Sequence, residues 1–260
     1  MSNYILGHGP NMMKRFKDRS LEDGVSFIEP LLPDSGIVVD LGCGSAVLAS
    51  WISENRKKTK VIAIDRELSL IPKDYLERRD NLLLVQGDAY NIPLYNESVD
   101  LIYMQALCMY LESTESVLAE AYRILKPKGK IALRNSVSVI NNMGQFVNDD
   151  IFEKVLQYTL KKNNDNPRVA FNISSLLDCT GYSNIQMKTS IESSKDTDDI
   201  QDVARSTIEL FKSNIGDAAV QDHILSETDR RDIITNLETW SNYPKAYNRA
   251  IWLEHTAEKA

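Results

Sequence analysis

Short apolar runs alternate with helix-patterned stretches along the first half of the chain. Ile37 to Leu41 is the first run, introduced by the turn-forming Pro33-Asp34-Ser35-Gly36, and it predicts a buried strand. The turn Gly42-Cys43-Gly44 follows and opens a helix over about Ala46 to Asn55. Val61 to Asp65, Leu82 to Val85, Val99 to Met104 and Lys130 to Arg134 repeat the strand pattern. A helix or irregular connection reaches about Asp80. Glu115 to Leu125 sets Val117, Leu118, Ala121, Ile124 and Leu125 along one helical face, and Pro127 and Gly129 stop it. Strands and helices in this rhythm predict a parallel sheet covered on both faces, with ligand-binding loops along one edge.

Beyond Asn135 the pattern loosens. Phe146 to Lys162 and Ile173 to Cys179 read as helices, the second ended by Gly181, and Ile185 to Ile191 as a sixth strand. From Ser193 to about Trp240 the chain is polar and helical, with Thr197-Asp198-Asp199 and Ser226-Glu227-Thr228-Asp229 as helix starts. Arg249 to Glu254 closes the sheet. The expected architecture is α/β: a Rossmann-like, seven-stranded, mostly parallel sheet with helices on both faces. N-terminal leader helices precede it, and a helical cap insertion stands before the last strand. The single domain, 1–260, divides into a leader or lid (1–35), a core (36–192), the cap (193–243) and a closing strand and tail (244–260).

Composition narrows the function classes. The 260 residues are 43% apolar and 26% charged, enough for one large core. A formal net charge of -7 weighs against general nucleic-acid binding. Cys43, Cys108 and Cys179 are far apart and read as reduced thiols, and His8, His223 and His255 show no metal-ligand spacing, so no metal is expected. No apolar run approaches the roughly 20 residues that span a bilayer, and the N-terminus lacks a signal-like stretch. A cytoplasmic protein with no membrane partner is expected. Its oligomeric state stays open.

The chemistry concentrates at strand ends. In Val38-Val39-Asp40-Leu41-Gly42-Cys43-Gly44-Ser45-Ala46, glycines let backbone approach a ligand where side chains would clash. A phosphate-binding fingerprint would need a third glycine or a following Lys-Ser/Thr, and neither is present. Asp40 beside the loop suits an amine better than a pyrophosphate. Asp65 closes the next strand, where an acid either takes both ribose hydroxyls or caps a helix. Gly87-Asp88-Ala89 follows the third strand, and Asp88 either accepts from an adenine amino group or caps a turn.

With these residues the chain resembles the class I S-adenosylmethionine-dependent methyltransferases, most of all the ubiquinone-biosynthesis-type and related small-molecule enzymes. The likeness rests on Asp40-Leu41-Gly42-Cys43-Gly44, Asp65, Gly87-Asp88-Ala89 and Tyr122-Arg123-Ile124-Leu125-Lys126-Pro127, and covers roughly Tyr4 to Arg134. The resemblance implies S-adenosylmethionine as cofactor and methyl transfer to a small organic acceptor by in-line displacement. The alternative is a protein of the same fold that binds the cofactor without methylating. Asp65 would then hold the ribose, Asp88 and Ala89 the adenine edge, and Gly42 and Gly44 would pass the methionine moiety, with Asp40 near its amine. Arg66 packs along the adenine or is a solvated arginine. Gln105 lies near the methionine end or is a backbone-bonded loop residue. Arg19 reaches the cofactor carboxylate or stands exposed on its helix. Ala46 departs from a common glycine, Lys128 and Lys130 flank Gly129 where Pro-Gly-Gly is usual, and Tyr110 stands where relatives often place histidine. No residue declares itself as a catalytic base; His8, Tyr110 and His255 are candidates, His255 reading as a surface residue.

Overall fold

Strand β1 (Gly36–Leu41) is buried on both faces because its apolar run is continuous: Val38 packs on one side, Val39 and Leu41 on the other. A computed structural model of the protein describes residues 24–71, 80–194 and 196–260. Among the described residues β1, β2 (Thr59–Asp65), β3 (Leu82–Gln86), β4 (Val99–Gln105), β5 (Leu125–Asn141), β6 (Tyr182–Ser193) and β7 (Asn248–Lys259) form one sheet, in the order β3-β2-β1-β4-β5-β7-β6. The pairings β1·β2, β1·β4, β2·β3 and β4·β5 are parallel. The C-terminal ends of β1 to β4 therefore share one edge. The expected seven-stranded α/β sheet is what the chain forms.

Past the helical residues 24–28, the helices among the described residues include α1 (Val47–Asn55), α2 (Thr114–Ile124), α3 (Asp149–Asn163), α4 (Ile173–Thr180), α5 (Thr197–Lys212), α6 (Asn214–Gln221) and α7 (Glu227–Ser241). One face of the sheet packs Val39, Leu41, Ile102 and Met104 against Val117, Leu118 and Ala121 of α2 and Ile173 and Leu177 of α4. The other packs Val38, Val61, Ala63 and Leu101 against Leu48, Ala49 and Ile52 of α1 and against Ile28.

The chain clusters into two compact units. One holds the described residues up to 137 together with 166–190 and 252–260; the other holds 138–165 and 191–251. The second unit is helical and has its own core, in which Trp240, Phe211, Leu237, Ile233 and Val155 are buried together. Its helices start on polar caps: Asp196 for α5, Ser213 for α6, and a reciprocal Ser226–Asp229 capping box for α7. Asn142 anchors it, accepting from Trp240 Nε1 at 2.8 Å and from the Tyr247 amide at 3.1 Å while donating to the Lys245 carbonyl. Trp240, fully buried, is the largest side chain of this core.

Two local features differ from the sequence reading. β5 begins at Leu125 instead of about Lys130, because the Pro127–Gly129 stretch is a bulge within the strand: Val99 faces Leu125 and Leu101 already faces Lys130, with Lys128 at φ 66. His255, read as a surface residue, is 1% exposed on β7. Its Nδ1 has no hydrogen-bond partner, and burial lowers its pKa from 6.5 to about 4.

His255 makes the fold acid-sensitive in a defined window. A histidine whose folded pKa is depressed contributes fully above its unfolded value near 6.5, and its contribution is lost as pH falls toward 4. Buried Asp40, described below, acts oppositely over nearly the same range, so the difference between two proteins isolates the histidine. Urea unfolding from pH 7.5 to 4.5 should show the wild type losing up to about 3 kcal/mol more than His255→Phe. Parallel curves would remove His255 from the acid response.

Candidate functional site

The loop after β1 is built on three left-handed residues in alternation: Gly42 (φ 74), Gly44 (φ 52) and Ala46 (φ 55). This explains a glycine preference at all three positions. Ala46 bears the strain of a side chain there, about 1 kcal/mol, and offsets it by burying its methyl group completely. The amides of Gly42 and Cys43 both donate to Ile64 O, at 2.8 and 3.1 Å, and so extend the β1·β2 ladder into the loop. A methyl group added to Gly42 would lie 2.9 Å from Leu107 Cδ1, in the segment after β4. One added to Gly44 would meet nothing within 4 Å among the described residues. The loop is thus packed at Gly42 and open at Gly44.

Asp65, at the end of β2, ties two loops together. Its Oδ2 accepts from the Gly44 amide at 2.8 Å and its Oδ1 from the Glu67 amide at 3.0 Å. Each carboxylate oxygen keeps capacity for a further donor. Of the two sequence readings of Asp65, the structure shows the capping one: it accepts from backbone and is itself half-buried.

Asp40 sits deeper, 4% exposed. Burial first, and the Asp65 charge second, raise its pKa to about 7 against the opposing hydrogen bond of the Ala49 amide in α1. Burial and the same two carboxylates hold the neighbouring Cys43 thiol protonated, so it offers no nucleophile. Two acids this close, one of them desolvated, form a place that favours a cation.

Along the same edge, Asp88 follows β3. Its Oδ1 accepts from Tyr90 N at 3.0 Å and its carbonyl from Asn91 N at 3.0 Å, a tight turn with the carboxylate exposed and Ala89 half-buried beside it. Arg66 is exposed, and its carbonyl accepts from Gln86 Nε2. Gln105 ends β4 half-buried, accepting a hydrogen bond from the Tyr103 hydroxyl. Asp40, Gly42, Gly44, Asp65, Arg66, Asp88, Ala89 and Gln105 are all carried by the ends of β1 to β4. Arg19 and His8 lie outside the described residues. Of the remaining base candidates, Tyr110 is in a short helical turn after β4, and His255 is enclosed in β7.

Sequence reasoning missed the supports. Glu120 and Arg123 of α2 hold the 92–96 loop: Glu120 accepts from Ile92 N, and Arg123 donates to the carbonyls of Ile92 and Leu94 and to Asn96 Oδ1. Their salt bridge at 2.7 Å lowers the Glu120 pKa and raises that of Arg123. The i, i+3 spacing of Glu120 and Arg123 was a readable signal; their loop partners were not.

With this geometry in view, comparison with known proteins gives a consistent result. Residues 39–133 match the family model described as a methyltransferase domain. An uncharacterized methyltransferase of Schizosaccharomyces pombe is 36% identical over 101 residues, 38% of this chain and 39% of its own. Trans-aconitate 2-methyltransferase of Deinococcus radiodurans is 26% identical over 127 residues, 48% of each chain. The matches thus span less than half of these relatives. Among solved structures, a Haemonchus contortus phosphoethanolamine N-methyltransferase 2, in complex with phosphomonomethylethanolamine and S-adenosylhomocysteine, shares the fold. Its TM-score is 0.60 at 12% identity, over 96% of this chain and 57% of that one. A Bacillus halodurans protein described as a putative methyltransferase gives 0.58 at 16% identity, over 91% and 99%. Residues 39–133 thus match a methyltransferase domain model, and the fold that carries them is a Rossmann-like α/β sheet.

The two glycines should respond differently to alanine. Gly44→Ala adds only the left-handed strain, about 1 kcal/mol, whereas Gly42→Ala adds a clash with Leu107 for about 3 kcal/mol in all. Equal losses in urea unfolding would contradict the packed and open assignments.

Proposed function

We propose that this protein is an S-adenosylmethionine-dependent methyltransferase acting on a small organic acceptor. The observation that carries the reading is the cradle at Gly44: an open glycine, held by the carboxylate of Asp65 and backed by buried Asp40, at the methyltransferase domain's strand-end edge. The residues fit such a cofactor. It has no phosphate, and the loop lacks a phosphate fingerprint. It carries an ammonium and a sulfonium, and the site is doubly acidic.

In the bound state the cofactor would supply a methyl group already attached to a good leaving group. The chain's own residues then bind and orient. Asp65 offers acceptor capacity to ribose hydroxyls, Asp88 and Ala89 border the adenine, and Gly42 and Gly44 let backbone pass the methionine moiety. Asp40 answers the ammonium, Arg66 lies near the adenine, and Arg19 completes the proposed set from the leader. A general base is needed only if the acceptor must lose a proton. His255, enclosed and held neutral, is poorly suited to that role.

Acceptor choice falls to residues outside 39–133, including the cap insertion 193–243 expected from the sequence. A net charge of -7 favours a small acceptor over a nucleic acid. The relatives are named for different acceptors, trans-aconitate and malonyl-[acyl-carrier protein] among them. The cytoplasm is the proposed compartment. No helix among the described residues is long and apolar enough to cross a membrane.

Calorimetric titration tests the reading: S-adenosylmethionine and S-adenosylhomocysteine should bind at micromolar concentration and NAD should not. Absence of binding by the first two would overturn it. Asp65→Ala should weaken S-adenosylhomocysteine binding by about 2–4 kcal/mol with the fold retained; unchanged affinity would remove Asp65 from the site.

Asp40 adds a pH signature. A bound cation favours its ionised form, so affinity should rise with pH up to about 7 and then level off, with proton release on binding near pH 6.5. Titrations in buffers of different ionisation enthalpy measure that proton. Asp40→Asn should abolish the release, and an unaltered release would assign it elsewhere.

A further inference from the structure

Tyr103 and Gln105 stand two residues apart on β4, so the strand's alternation turns both to one face of the sheet. Tyr103 is fully buried and lies directly across from Asp40 in the β1·β4 register. Its hydroxyl donates to Gln105 Oε1. Gly24 closes the pair from the N-terminal side: a methyl group on Gly24 would lie 2.8 Å from Gln105 Oε1 and 3.5 Å from Tyr103 Oη. A phenol at this depth requires an acceptor, and the amide oxygen supplies it. The amide's orientation is thereby dictated. Oε1 is committed to the hydroxyl, and Nε2 keeps two N–H donors for other partners.

The proposed site has an order across the strand ends. Asp88 follows β3, Asp65 ends β2, the Gly42–Gly44 turn follows β1, and Gln105 ends β4. Neighbouring strands are about 4.8 Å apart, so the row spans about 14 Å. A cofactor lying along it, with adenine by β3 and ribose at Asp65, brings its amino-acid end to the loops of β1 and β4. That end is zwitterionic. Its ammonium suits the acidic pair Asp40 and Asp65, and its carboxylate needs donors.

We infer that Tyr103 is a positioning residue: it fixes the Gln105 amide so that Nε2 donates to the carboxylate of the cofactor's methionyl group. This rests on the cofactor reading given above. Tyr103 acts only through Gln105, and so only on ligands that carry the amino-acid end.

The test uses the full chain and two probes, S-adenosylhomocysteine and 5′-methylthioadenosine, which lacks the amino-acid end. Tyr103→Phe should weaken S-adenosylhomocysteine about three- to ten-fold, the loss expected for one hydrogen bond, and leave methylthioadenosine within about two-fold. In a Gln105→Leu background the same substitution should have no further effect on either probe. Equal weakening of both probes would reduce Tyr103 to a structural role and overturn the inference, as would an undiminished effect without Gln105. Should Tyr103→Phe fail to fold, Gln105→Glu decides alone: it keeps the oxygen for Tyr103 but replaces the donor by a negative charge. It should weaken S-adenosylhomocysteine at least ten-fold while sparing methylthioadenosine, and any other outcome overturns the inference. A wild type that binds neither probe would instead reject the cofactor reading itself.

Discussion

The handshake between the β1 loop and the end of β2 is the constraint on which the candidate site depends. Two successive amides, Gly42 and Cys43, share the Ile64 carbonyl, and the next glycine's amide meets the Asp65 carboxylate. Parallel strands end with backbone groups unpaired, and a buried loop must satisfy them. Here the loop does so by leaning on the neighbouring strand end. The same contacts fix the left-handed turn, aim Asp65 and leave Gly44 bare on one side. Leu107 presses on Gly42 from the segment after β4 and holds the turn from the other flank.

That arrangement carries an electrostatic cost. Asp40 is taken out of water next to Asp65, and burial makes its ionisation unfavourable near neutrality. A fold selected for stability alone would place an apolar residue there, since a buried unpaired charge is expensive. Retaining the acid makes sense where a positive ligand completes the pair, which is why the proposed cofactor, a cation without phosphate, suits the chemistry. Farther along the same face, Arg134 is fully buried, paired with Glu254 at 3.2 Å and set 4.0 Å over the Trp252 ring. Arg134 is thus held by pairing, whereas Asp40 and Asp65 are like-charged neighbours.

The helical unit follows different physics. Its core of Trp240, Phe211 and Leu237 is closed by capped helices and by one asparagine that serves three backbone or indole partners. The family match ends at 133, just before this unit begins at 138. The segment that matches the methyltransferase domain model, 39–133, carries the strand-end candidate residues, and the helical unit is a separately packed body outside that match.

The sequence by itself determined the sheet, because runs such as Val38–Val39 and Val61–Ile64 are buried on both faces and need no partner to declare themselves. It also determined the row of strand-end residues, since an acid or glycine after an apolar run is a local signal. Only the tertiary structure decided what those residues do to one another. That Asp65 caps Gly44, that Asp40 feels Asp65, and that Tyr103 is bonded to Gln105 are facts of strand register and burial. A linear pattern does not contain them. His255 makes the same point from the opposite side: near the chain end it reads as a surface residue, and only the closure of β7 into the sheet buries it. The Pro127–Gly129 segment reads as the stop of a helix, which does end at Ile124; that it is also a bulge in β5 appears only once pairing with β4 continues across it. Local chemistry fixes which elements form. Register and burial fix which groups meet, and they are set by parts of the chain far apart in sequence.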